Sequence, residues 1–199
     1  MLLKPIALFA AGVTAANSGW TIPEGQPNGV YSVSVDSSGK ATHNFLHDLI
    51  APDHIAAPSK ERRALGNSAK LSIERDLNGP YAITCGGYEL DHGDCDGAVA
   101  NLKNQCGNGA NVGGNLDYYA IDNSVVAYFC NFNSGATNCY FYDAADAYQL
   151  ITGSCGLYEA GWDSMFAYYA PNGGPNYVSY GYENLGGNDF CGRGTNGKI

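Results

Sequence analysis

All seven cysteines of this 199-residue chain lie between Cys85 and Cys191, so covalent stapling is confined to the C-terminal part of whatever it folds into. No pair has C-x-x-C spacing, and His92 is the single histidine after Arg63. The set therefore reads as disulfides rather than zinc ligands, with no metal and no cofactor expected. Cys130 and Cys139 enclose a short loop containing Gly135 and are expected to pair. Cys85, Cys106, Cys155 and Cys191 supply the other bridges, their pairing left open. Cys95, close to Asp91, Asp94 and Asp96, is the expected odd one.

Disulfides persist in oxidising compartments, and the N-terminus agrees with export. Residues 1–16 carry Lys4, an apolar centre and the small residues Val13, Thr14, Ala15 and Ala16, the three parts of a secretory signal peptide. Residues 17–63 read as a propeptide. One short hairpin is expected there, alternating over residues 30–35 before the turn Asp36-Ser37-Ser38-Gly39, followed by a Pro- and Ala-rich spacer with little to bury. Arg62-Arg63 then forms a dibasic site of the kind kexin-like proteases cut, so residues 64–199 are the expected mature domain, secreted and monomeric.

Within that domain the stretch LDYYAIDNSVVAYFCNF, residues 116–132, reads as a β-hairpin turning at Asp122-Asn123, residue types that tolerate a left-handed backbone. Residues 81–90 are a strand candidate interrupted by Gly86-Gly87, which predicts a bulge. Asp94 then caps a helix ending at Gly107. Asp143 caps a second, in which Ala144, Ala147, Tyr148, Ile151 and Cys155 form one stripe before Gly156. Residues 157–162 are a weak strand and 177–183 a better one. The order β-α-β-β-α-β predicts an α+β, split β-α-β ferredoxin-like two-layer sandwich, an antiparallel sheet with two helices on one face.

Charge narrows the partners. Residues 1–63 hold five Lys/Arg and five Asp/Glu, and residues 64–199 hold five and fourteen, so the net charge of −9 belongs to the second part. Such a domain repels phosphate backbones and anionic headgroups; no nucleic acid partner and no membrane anchor are expected. His92 has no G-x-S-x-G elbow to serve and reads as a loop residue. Gly107, Gly109, Gly113 and Gly114 follow a helix and lack a Lys, which makes them a flexible connection rather than a phosphate loop. Carboxylates are the remaining catalytic option: Glu159 with Asp163 near Trp162, or Glu183 beside Tyr182. Spread over a fourteen-acid domain they read as solvated surface, and no catalytic residue is assigned. Tyr140, Tyr142, Tyr168 and Tyr169, set among Asp and Asn, form a possible binding surface for a sugar or a protein.

Signal segment, dibasic leader and cysteine-rich α/β domain together resemble the small secreted proteins of filamentous fungi and their killer-toxin-like and necrosis-inducing effectors. The stretches that carry the likeness are SVVAYFCNF, the helix leading into GSCG, and NYVSYGYE, spread over most of residues 80–191. The resemblance implies a non-enzymatic effector or toxin-like protein acting through its surface on a host or competitor protein. The scarcity of Lys and Arg departs from toxins that act through exposed cations. A cell-wall or carbohydrate-binding protein, with weak carboxylate-based glycoside hydrolysis, is the alternative.

Overall fold

The computed structural model describes residues 19–58, 82–166, 177–187 and 189–192. The signal segment, Arg62-Arg63, Tyr168 and Tyr169 lie outside the described residues. Two N-terminal strands, β1 (Gly29–Val35) and β2 (Ala41–His47), precede β3 (Ala82–Glu89), α1 (His92–Cys106), β4 (Ala110–Val112), β5 (Leu116–Asp122), β6 (Val125–Asn131), β7 (Thr137–Cys139), α2 (Phe141–Cys155), β8 (Glu159–Phe166) and β9 (Tyr177–Asn184). Seven strands form one antiparallel sheet in the order β2-β1-β5-β6-β9-β8-β3, and β4 pairs separately with β7.

The expected hairpin is its centre. Asp122 faces Val125 across a two-residue turn, with Asn123 at φ 42°, the left-handed backbone that Asn tolerates. Both helices form, with their starts shifted. Asp91, not Asp94, caps α1, its carboxylate accepting the Asp94 N–H at 3.0 Å. Asp94 is thereby free to bind Ser124. α2 begins before Asp143, with Tyr140 at the cap position. The register of β3 shifts between Cys85 and Glu89, and Gly87 takes φ 75°, the bulge predicted from the Gly-Gly pair.

The strand order departs from a split β-α-β unit, which would seat β3 between β6 and β9. Here β6 pairs directly with β9, and β8 stands between β9 and β3. The cause is β8: the weak candidate is a full strand whose register with β9 runs from Gly161↔Tyr182 to Phe166↔Tyr177. The glycine-rich connection after α1 also holds structure, since β4 lies in it and pairs with β7 through Ala110↔Cys139 and Val112↔Thr137.

The larger departure is at the N-terminus. The expected hairpin forms from β1 and β2, but it is not a separate leader: β1 sits in the sheet interior between β2 and β5, in register from Gly29↔Ile121 to Ser34↔Leu116. Val30, Tyr31 and Val33 are buried, as is Trp20 ahead of them. The hairpin turn is held by the Asp36 carboxylate, which accepts the N–H groups of Ser38 at 2.8 Å and Lys40 at 3.0 Å. Alternation along β1 looks like an isolated amphipathic hairpin in the sequence. Paired with β5, however, it is covered on both faces.

The sheet consequently has two cores. On one face Ala98, Leu102 and Cys106 of α1 and Ala144, Ala147 and Ile151 of α2 pack on Ala120, Ala127, Phe129 and Tyr180. The alanines at the sheet centre leave room for helix backbones to approach. On the other face Tyr31, Val33, Tyr119, Ile121, Val126 and Tyr128 are roofed by Trp20, Phe190 and Cys191. Trp20 and Phe190 bridge through reciprocal backbone bonds of 2.8 and 2.9 Å, so the roof joins the N-terminal segment to the C-terminal one.

Candidate functional site

Three disulfides fix these layers: Cys85–Cys155 ties β3 to the end of α2, Cys106–Cys139 ties the end of α1 to β7, and Cys130–Cys191 anchors the roof to β6. The expected Cys130–Cys139 bridge is not formed. Side chains alternate along β6, which places Cys130 with Val126 and Tyr128 beneath the roof, whereas Cys139 belongs to the helix-side core. Short sequence separation counted for less than the face each thiol occupies. Cys95 is the free cysteine, buried in the first turn of α1. Burial, reinforced by Asp96, pushes its thiol up to about 12, so it stays protonated and unreactive.

The carboxylates proposed from sequence are not brought together. Asp163 is buried on the helix side, opposite Tyr180 across the β8–β9 pair. Glu159, half-buried, stands four residues earlier on the same strand, roughly 13 Å away at the rise of a β-strand and beyond the roughly 5–9.5 Å that glycosidase carboxyls span. Glu183 lies on the opposite face, where it accepts a hydrogen bond from the Tyr128 hydroxyl. Burial raises its pKa against the lowering effect of that bond. Tyr128 reaches it by lying across Gly181, where a Cβ would strike the phenol.

Asp117 is a carboxylate that sequence reasoning missed. It is buried on the roofed face of β5, where its two oxygens accept the Trp20 indole N–H at 2.8 Å and the Asn131 backbone N–H at 2.7 Å. Burial raises its pKa to about 7, opposed by those two bonds. Around the contact Tyr119 stacks on Tyr31, with ring centroids 5.0 Å apart and planes 9° apart, and packs on Trp20 at 4.8 Å. His43 of β2 bonds the Tyr119 hydroxyl at 2.8 Å, and its pKa is lowered by burial. An isolated Asp between strand residues carried no signal, because its partner lies 97 positions away.

At one end of the molecule the start of α1 and the β5–β6 turn gather an acidic pole. Asp94 accepts Ser124 Oγ at 2.6 Å, Ser124 N at 3.0 Å and Asn123 Nδ2 at 2.9 Å, and the Ser124 hydroxyl is the largest cause of its lowered pKa. Asp122 moves the other way, raised by burial and by the charges of Asp94 and Asp91. Glu89, Asp91 and Asp96 beside them are exposed. His92 is here too, stacked on Tyr158 at 4.0 Å with its Nε2 3.0 Å from Glu89. Lys40 and Lys103 are the cationic side chains among the described residues, and Lys103 lies over the Phe141 ring.

Of the four tyrosines expected to form a binding surface, Tyr140 and Tyr142 are described and stand in different surroundings. Tyr140 is exposed against Gly109, while Tyr142 donates its hydroxyl to the Pro58 carbonyl at 2.6 Å and so belongs to the contact with the N-terminal segment. Among the described residues there is no cluster of three or more His, Cys, Asp or Glu arranged to hold a metal ion, and no helix is long and apolar enough to cross a membrane. No protein-family model, curated protein or solved structure matches the chain.

Proposed function

We propose that the chain is a secreted, non-enzymatic effector or toxin-like protein, processed at Arg62-Arg63, that acts by binding a basic protein of a host or competitor through its acidic pole. The observation that carries this reading is the pole itself: Glu89, Asp91, Asp94, Asp96 and Asp122 gather about the start of α1, where a described lysine, Lys103, offsets them through Asp96 and leaves the group strongly acidic. Like charges held together raise the local potential and steer an oppositely charged partner. Three disulfides in a small α+β domain support an extracellular destination, where such bridges persist.

The test is binding and activity in parallel. The protein as secreted is applied to host and competitor cells, with a Glu89→Gln, Asp91→Asn, Asp96→Asn variant beside it. Loss of cell binding by at least ten-fold in the variant, with the same melting temperature, supports the reading. Unchanged binding overturns the acidic pole as the contact. Release of reducing sugar from cell-wall polysaccharide, abolished by Glu183→Gln, would replace the binding reading with a hydrolase.

A further inference from the structure

We infer that the N-terminal segment, residues 19–58, is a strand-donating subunit that stays bound after cleavage, so that the processed protein is a two-chain assembly held without a covalent link. This rests on the processing at Arg62-Arg63 stated above. A cut after Arg63 falls between Pro58, the last described residue of the segment, and Ala82, the first of β3. No cysteine precedes Cys85, and all three disulfides lie within the C-terminal piece, so none crosses the cut.

The segment is engaged along its whole length. At its start Trp20 is bonded through its backbone to Phe190 and through its indole to Asp117. In its middle β1 completes the ladder on β5. Asn28 bonds Asp122 and Asn123 at the β5–β6 turn. Further on, the carboxamide of Asn101, buried in α1, accepts the Ile50 N–H at 2.7 Å and donates to the Ile50 carbonyl at 2.9 Å. Asn101 thus stands on an apolar helix face with its amide matched to the segment's backbone. At the end, Tyr142 holds Pro58.

Departure would leave β5 as an open edge and expose Tyr119, Ile121 and Val126, an apolar strip that soluble proteins do not leave bare. The partner that fits this face is therefore the protein's own N-terminal piece, as in strand complementation between chains, where main-chain bonds give affinity and side-chain pockets give specificity.

Full-length protein is cut with a kexin-type protease, and completion is followed by denaturing mass spectrometry. Failure to cut counts against the processing, not against the strand pairing. Once cut, native mass spectrometry at micromolar concentration should give a single species whose mass is the sum of the two pieces. A folded C-terminal piece free of the segment would overturn the inference. Trp20→Phe, which keeps an aromatic ring and removes the N–H, should leave the uncut chain folded and raise the dissociation constant of the cut pieces at least ten-fold on dilution. An unchanged constant would overturn the role given to the Trp20–Asp117 bond.

Discussion

Trp20 donates its indole N–H to the carboxylate of Asp117 at 2.8 Å, across 97 residues of sequence, and this contact pins the start of the described chain to the centre of the sheet. Its cost is a carboxylate without water. For a group whose pKa is raised on folding, the folded state holds the proton more tightly than the unfolded one. Its stabilisation is then full below the ordinary carboxyl range and is lost as pH rises through the folded value, about 7 here.

That sign gives the first prediction. Asp117→Asn keeps an oxygen to accept the indole and cannot ionise. The stability of the natural chain relative to this variant should improve as pH falls from 8 to 5, measured by thermal melts of both. His43, with a lowered pKa, pulls the other way as pH falls through its folded value, and the comparison cancels it because both chains contain it. A difference in melting temperature that is the same at both pH values would contradict the burial assigned to Asp117.

Gly181 supplies a second prediction. Its Cβ would collide with the Tyr128 phenol and meet Trp162 Cβ, so Gly181→Ala must push Tyr128 away from Glu183. Overpacking of this kind costs about 1–3 kcal/mol. Denaturant unfolding should show that loss, and Tyr128→Phe combined with Gly181→Ala should not restore it, since the ring itself is in the way. A neutral Gly181→Ala would show that the sheet face yields more easily than its packing implies.

The third prediction concerns the bridge from β6 to the roof. Replacing Cys130 and Cys191 by Ala removes a link between positions 61 apart, worth about 2–4 kcal/mol, and frees the segment that holds Phe190 against Trp20. Equilibrium unfolding should register the loss, and protease should nick the C-terminal segment first. Equal stability and equal protease resistance would mean that packing alone holds the roof.

Much of this architecture was legible because it depends on local pattern. The hairpin at residues 116–132 announces itself by two β-rich runs around Asp-Asn, and α2 by its recurring Ala, Tyr and Ile stripe. What could not be read depends on long-range pairing. Nothing local states that β1 would find β5, that Asp117 would face Trp20, or that Cys130 and Cys139 would belong to different cores, on opposite sides of the large sheet. The absence of cysteine made residues 19–58 look detachable. Their burial depends on a partner strand more than 80 positions downstream. The acidic pole was visible as composition in Asp91, Asp94 and Asp96, but Asp122 joins it through the turn.

The acidic pole also predicts how binding responds to salt. Exposed charges are screened over about 10 Å at 0.1 M salt, so affinity for a basic partner should fall several-fold between 0.05 and 0.5 M sodium chloride, read by titration calorimetry. Affinity indifferent to salt would point to an apolar or glycan contact instead.

Hydrogen–deuterium exchange of the uncut protein measures whether residues 19–58 are part of the fold. Amides of β1 that face β5 should be protected to the same degree as those of β6, because one ladder runs through both strands. Exchange of residues 29–35 at the rate of a free peptide, with residues 125–131 still protected, would contradict it.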